Sequence, residues 1–341
     1  MIAELDALLR VRGGAAQLHV LRDGVPVVDR SFGCAPDDLF WTFSASKPYV
    51  AVLVHQLAER GVLDLDDPVA AHWPEFAGRG KAAVTVRQVL RHRSGLATAG
   101  STLGDIRAMT DWARSVHRLE HAPLRWTPGT VPAYQFLGFG FILGELARRV
   151  TGTPVRQLMS ELVLDPLGVR DTHLGLRDEL WPRHVPLRAA GPAGALVNAV
   201  VNRPRTRAAI IPSAGISTTA RDLASFYDAL LRGDLLSPTT LAPLLEPTSD
   251  GVIDSYARQP IRWSEGFQLG GPGHLPGAIS PMGRRSNPRA FGHNGSNSCL
   301  AWADPDRRLA FAYLTNRITR RRADIAHHAA VADLVLTAFG N

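Results

Sequence analysis

Ser44 stands three positions before Lys47 in the stretch "FWTFSASKPYV". On a helix, residues at i and i+3 share one face, about one turn apart. A serine hydroxyl is a weak nucleophile until a neighbouring base takes its proton. A lysine amine can be that base once burial or nearby cations lower its pKa, whereas a guanidinium keeps its proton. Composition sharpens the point: 38 residues are Lys or Arg, and only Lys47 and Lys81 are lysine. Arg could replace Lys on a surface but not as a base. Pro48 suits a helix start, because a first-turn N–H has no intrahelical partner. A Ser in that first turn also faces the positive end of the helix dipole. Against this stands the plainer reading of an accidental Ser-x-x-Lys. Ser46 reads as a helix-face residue.

Other nucleophile and cofactor signatures are missing. No serine has glycine at both −2 and +2, so the nucleophile elbow of α/β-hydrolases is excluded. There is no His-Glu-x-x-His, no Gly-x-Gly-x-x-Gly and no P-loop. Cys34 and Cys299 have no metal spacing and read as reduced thiols. The expectation is an enzyme without metal or cofactor.

The elements that must carry Ser44 and Lys47 are legible at both ends of the chain. "QLHVLRDGVPVVDRSFG" is two strand-like runs around Asp23-Gly24, a hairpin signal because both central residues of such a turn need positive φ. "SCLAWADPDRRLAFAYLTNR" repeats the plan around "DPDRR", and an N-terminal and a C-terminal helix flank the two hairpins. This predicts an α+β fold: one antiparallel sheet built from both termini, flanked by helices, beside a mostly helical lobe. The expected division is 1–62 and 256–341 for the α/β lobe and 63–255 for the helical lobe.

Within the middle, Val50, Leu53, Val54 and Leu57 make a helical stripe that stops at Gly61. Phe139, Ile142, Leu143, Leu146 and Val150 make a second stripe, ended near Gly152. Thr219 and Asp222 form a capping-box pattern for a helix running to Gly233. Stretches rich in proline and glycine at 182–204 and 270–289 read as long surface loops, walls or lids of a site.

Net charge is +7, spread in arginine, and the densest cluster, "NRITRRRADIAHH", reads as a solvated helix rather than a nucleic-acid or membrane patch. No stretch approaches the ~18 apolar residues of a membrane span, and the start of the chain lacks a signal-peptide pattern. The expectation is cytoplasmic, with no nucleic-acid and no membrane partner.

Four ordered landmarks then add a family. "FWTFSASKPYVAVLVHQLAERGVLDLDDPVAAHWPEF", "VTVRQVLRHRSGL", "WTPGTVPAYQFLGFGFILGELARRVTG" and "GHNGSNSCLAWADP" together resemble the serine β-lactamase-like superfamily, in its class C β-lactamase and family VIII carboxylesterase branch with the penicillin-binding-protein fold. The resemblance spans most of residues 15–320 and implies an active site in the cleft between the lobes. It implies that Ser44 is acylated, that Lys47 is the base, and that Tyr134 shares proton transfer and protonates the leaving group. His293, Asn294 and Gly295 match the third motif and, with Phe136, are expected to contact the substrate, and the backbone N–H groups of Ser44 and Ser296 match the oxyanion hole. Each has a plainer rival: Tyr134 as a core tyrosine, His293 as a polar strand residue. His92 reads as a loop partner, and Trp126, Trp263 and Trp302 as core in preference to cleft walls.

Two departures are informative. The branch usually carries Tyr-x-Asn and a cationic lysine; here the positions are Phe136 and His293. Phe136 lacks the amide that would meet a substrate amide, and His293 offers at most partial charge near neutral pH. This argues against a β-lactamase or D-Ala-D-Ala peptidase. The first expectation is a serine hydrolase acting on a small-molecule ester or acyl donor. The alternative is a transacylase passing the acyl group to an amine or alcohol acceptor, as in natural-product biosynthesis. A non-catalytic binding module is the third reading.

Overall fold

The computed structural model describes residues 2–271 and 280–340. The chain runs through α1 (Ile2–Arg12), β1 (Ala16–Arg22), β2 (Val25–Phe32), α2 (Lys47–Glu59), α3 (Gly138–Thr151) and α4 (Ala220–Arg232). It closes with β3 (Gln268–Leu269), β4 (Phe291–Gly295), β5 (Cys299–Asp304), β6 (Leu309–Thr315) and α5 (Arg321–Phe339). The strands form one six-stranded antiparallel sheet in the order β2-β1-β6-β5-β4-β3, so the two ends of the chain meet at β1 and β6. The β1–β2 turn has Asp23 at φ 53° and Gly24 at φ 76°, the geometry that its sequence demands.

Apart from the edge strand β2, the main strands of the sheet are buried on both faces, and side-chain size sorts the faces. Leu309, Phe311 and Tyr313 of β6, with Leu300 and Trp302 of β5, pack under the terminal helices against Leu5, Leu9, Val331 and Val335. The alternate residues Ala310, Ala312, Ala301 and Ala303 face the larger core. That period-2 alternation puts bulk under α1 and α5 and leaves the other face shallow. On the shallow face α4 lies against β6, β1 and β5. Trp302, stacked on Phe311, belongs to the core under the terminal helices rather than to a cleft.

The packing crosses the division drawn from the sequence. α4, from the 63–255 segment, covers the sheet, while α2, from the 1–62 segment, packs mainly on α3. Both belong to one continuous core. α2 is also more enclosed than a one-sided stripe implies: Lys47 to Leu57 are all buried or nearly so. A helix apolar all round is a central helix.

Two local expectations are corrected. Thr219 does cap α4, accepting from Asp222 N–H at 3.2 Å. The reciprocal half of the box is not made, since the Asp222 carboxylate accepts from Asp171 N–H at 2.7 Å and Thr172 Oγ1 at 3.1 Å. Residues 182–204 are not one long loop, because Gly191–Val201 is a helix with proline in its first turn. Asn198 and Asn202 each exchange two hydrogen bonds with backbone, of Ala189 and Leu187 respectively, and pin that helix to the preceding segment. In the second predicted loop, 272–279 lie outside the described residues, and 280–290 carry no helix or strand. Among the described residues no helix is long and apolar enough to cross a membrane.

Candidate active site

Ser44 sits in a 3₁₀ turn, Phe43–Ser46, that runs directly into α2 at Lys47. The serine therefore precedes the α-helix proper rather than occupying its first turn. Phe43 enters the turn with φ 48°. Ser46 secures it: its hydroxyl lies 2.9 Å from Thr42 Oγ1 and accepts from Ile216 N–H at 3.1 Å, tying the turn to the short strand Ile216–Thr218. That is a structural use, as its place on the turn implied.

Lys47 is fully buried. Its Nζ lies 3.4 Å from Ser44 Oγ, 2.7 Å from the Phe136 carbonyl and 3.3 Å from the Ser213 carbonyl. Burial pushes its pKa well below that of an exposed lysine. A neutral amine has two N–H donors and one lone pair. Two carbonyls and one hydroxyl match that set: the carbonyls take the protons and the lone pair faces Ser44. Lys81 is the instructive contrast. It is equally inaccessible, but donates to three carbonyls, Gly78 at 2.6 Å, Glu120 at 3.0 Å and Ala122 at 2.7 Å. All three ammonium protons are used there, and burial lowers its pKa only to about 8.

Tyr134 completes the contact from the far side, donating from Oη to Ser44 Oγ at 2.5 Å, with Lys47 Nζ 4.6 Å from its ring centre. Burial raises the phenol pKa, helped by the nearby Tyr256 and Asp254, so the group is a neutral donor. Behind it lies an assembly that sequence reasoning missed. Buried Asp254 accepts from Tyr134 N–H at 2.8 Å and from the Trp263 indole at 3.0 Å through one oxygen. Its other oxygen accepts from the N–H groups of Tyr256 and Ala257. The Trp263 ring stacks on Tyr134 at 5.3 Å and 6°. One carboxylate thus fixes the tyrosine's backbone and the ring that backs it. Nothing local in "GVIDSYARQPIRW" announces this, because Tyr134 is 120 residues away in sequence.

His92 is a loop partner: its Nδ1 accepts from Gln135 N–H at 3.2 Å, and its ring packs among Tyr134, Phe139 and Trp263. Ser213, also missed, donates to Leu137 O and accepts from Gly140 N–H while its own carbonyl meets Lys47.

The strand β4 forms the opposite wall, packed against the Ser44 turn. Gly295 makes the approach possible, because a Cβ there would lie 2.0 Å from the Thr42 carbonyl oxygen. The hairpin that follows has Ser296 at φ 49° and Asn297 at φ 56° and is closed by Ser298 N–H to Gly295 O at 2.9 Å. Asn294 has a partner of its own in the hairpin. Its side chain exchanges hydrogen bonds with Asn297, one from Nδ2 at 2.7 Å and one to Oδ1 at 3.0 Å, so it braces the turn carrying Ser296. His293 is buried and donates from Nδ1 to the Asn294 carbonyl at 2.9 Å, leaving Nε2 as an acceptor with no partner among the described residues. Burial, with the charge that Lys47 carries once protonated, lowers its pKa to about 3. At neutral pH this position carries no charge. Phe136 gives its carbonyl to Lys47 while its ring stacks 6.3 Å from Tyr256.

The comparisons agree with the landmarks in the sequence. The family described as Beta-lactamase matches residues 2–336. An esterase/beta-lactamase, LipL of Mycobacterium tuberculosis, is 32% identical over an alignment covering 90% of this chain and 78% of that protein. Among solved structures, a family VIII carboxylesterase and a penicillin-binding-protein homologue from Caulobacter crescentus are each 27% identical with TM-score 0.82, covering 97% of this chain and 96% of theirs.

Proposed function

This chain belongs to the beta-lactamase family, and on that footing we propose that it is a serine hydrolase cleaving carboxylic esters through an acyl-enzyme on Ser44. The observation that carries the reading is the double contact on Ser44 Oγ, with buried Lys47 Nζ at 3.4 Å and Tyr134 Oη at 2.5 Å. Ser44 Oγ bonds to the ester carbonyl carbon as its proton passes to the Lys47 amine. The C–O bond to the alcohol then breaks, and Tyr134 gives its proton to the departing alkoxide, regaining one from Lys47. Water attacks the acyl-enzyme, the acid leaves, and Ser44 recovers its proton. The backbone N–H groups of Ser44 and Ser296 would hold the oxyanion, each donor typically worth ~3–4 kcal/mol in the barrier. Gly295 and the Asn294–Asn297 brace keep the second donor in place.

The experiment is intact-mass spectrometry after exposure to a panel of activated esters, followed by water or candidate amines. An adduct of one acyl group that water discharges is the expected result. Discharge only by an amine would make the protein a transacylase, and no adduct would overturn the reading.

The substrate is a neutral ester rather than a β-lactam, and this rests on Phe136 and His293. A β-lactam brings a carboxylate and a side-chain amide. Phe136 leaves a buried amide carbonyl without its donor, costing roughly 1–3 kcal/mol, and uncharged His293 forfeits the charge-assisted bond to the carboxylate. Penicillins and cephalosporins are expected to be turned over negligibly beside esters. The double change Phe136→Asn with His293→Lys should raise β-lactam acylation with little gain on neutral esters. Efficient cephalosporin hydrolysis by the unchanged protein would refute the reading of both positions.

Asp254 enters as a positioning residue. Asp254→Asn turns an N–H₂ toward donors that need an acceptor and loosens Tyr134 with its backing ring. A displacement near 1 Å can cost about a hundredfold, so kcat should fall roughly tenfold to a hundredfold. The acid limb of the pH–rate profile, set by Lys47, should stay in place. An unchanged kcat would show that Tyr134 keeps its position without the carboxylate.

A further inference from the structure

The helix Trp112–His121 turns Ser115, Val116 and Leu119 inward and places His117, Glu120 and His121 on its outer side. These three residues, at i, i+3 and i+4, are neighbours on one helix face. One ligand-capable atom from each lies within 4.8 Å of the others. The imidazole centres are 4.1 Å apart, and His117 Nδ1 is 3.7 Å from Glu120 Oε2.

Two of the three side chains are already oriented by outer partners. His121 donates its Nδ1 proton to the His117 carbonyl at 2.9 Å, which fixes the tautomer and leaves Nε2 with a free lone pair. Glu120 accepts from the buried Trp73 indole through Oε1 at 2.9 Å, leaving Oε2 on the side of His117. An N–H donated to a carbonyl behind a ligating imidazole, and a second hydrogen bond on a ligating carboxylate, are what metal sites use to aim their ligands. The negative end of the helix dipole lies at the same end. Lys81 opposes a cation there, but its ammonium is occupied by the Gly78, Glu120 and Ala122 carbonyls. Arg118 between the ligands turns away, to the Ala99 carbonyl and Asp105.

We propose that His117, Glu120 and His121 form a site for a divalent transition-metal ion of the zinc type, with water in the remaining position. Two imidazoles and one carboxylate suit Zn²⁺, Co²⁺, Ni²⁺ or Cu²⁺, and a set with only one oxygen ligand does not suit Mg²⁺ or Ca²⁺. The ion would clamp the last turn of this helix, whose Glu120 is already tied to the Trp73 indole. It takes no part in the chemistry at Ser44.

The test is calorimetric titration of the full chain with ZnCl₂, with MgCl₂ as the control, alongside thermal unfolding with and without zinc. One equivalent of zinc should bind, magnesium should not, and zinc should raise the unfolding midpoint because it binds the folded state. His117→Ala and His121→Ala lie on an exposed face and leave the core untouched. Each should weaken zinc binding more than about tenfold and remove the thermal shift, and Trp73→Phe, which removes the outer hydrogen bond together with part of a buried core ring, should weaken zinc binding about tenfold when binding is measured on the folded protein. Ser44→Ala should bind zinc as the unchanged protein does. No saturable binding at sub-millimolar free zinc, or binding that survives in the His117→Ala/His121→Ala double variant, would overturn the proposal.

Discussion

Replacing Ser44 by alanine should lower turnover of short-chain activated esters by about four orders of magnitude or more, the scale on which loss of a nucleophile is felt. No nearby hydroxyl can stand in. Ser46 is held between Thr42 and Ile216 N–H, and Ser213 between Leu137 O and Gly140 N–H. Neither hydroxyl is in hydrogen-bond contact with the Lys47 amine, which meets Ser213 only through its backbone carbonyl. The substitution removes one hydroxyl whose contacts are to Lys47 and Tyr134, so the fold should survive and the thermal midpoint should move little. Steady-state hydrolysis and adduct formation by mass are the measurements. Activity within about tenfold of the unchanged protein would dismiss Ser44 as the nucleophile.

Lys47→Arg should be nearly as damaging, costing roughly a thousandfold in kcat, within the range for loss of a general base. Arginine brings a permanent charge and cannot take a proton. Lys81→Arg is the matching control. Its pocket of three carbonyls also fits an ammonium better than a planar fork, so stability should drop while kcat of the folded enzyme holds. The depressed pKa of Lys47 fixes two signs. Activity should be lost as pH falls through that lowered value, because the base is then protonated. Between it and the ordinary value of 10.5, the unfolded chain binds the proton that the folded one has lost, so Lys47's contribution to stability rises with pH across that window. His293, titrating at about 3, adds no limb near neutrality. Retention of most of kcat in Lys47→Arg would make Lys47 a structural cation like Lys81.

Local signals carried much of the fold. Asp23-Gly24 dictates its hairpin, Gly152 and Gly233 end their helices at φ 73° and 82°, and the Ser44–Lys47 spacing survives as a real contact. What stayed hidden depends on contacts distant in sequence. Asp254 looks like any loop aspartate until folding delivers Tyr134 to it, with the nearby Trp263 stacked behind. Asn294 matched a family position, but alternation along β4 and the bond to Asn297 turn its side chain to the hairpin. The helix at 191–201 was masked by glycines and a proline whose first-turn placement is compatible with helix. α2 showed a stripe, and only the packing of both lobes around it reveals burial on every side.

The two lysines have one more consequence, for the outside of the molecule. Both are 0% exposed, so every other basic side chain apart from histidine is a guanidinium. Guanidinium groups stay protonated and do not intercept activated acyl groups at neutral pH. Apart from its α-amino group, the protein offers reactive esters no lysine amine at its surface. It is therefore spared the self-acylation that lysine-rich proteins suffer in the presence of such donors. A mass increment found after exposure to an ester is not a surface lysine adduct, and the Ser44→Ala variant separates the cleft from the α-amino group and Cys34, while amine-directed labels or cross-linkers should find almost nothing to hold.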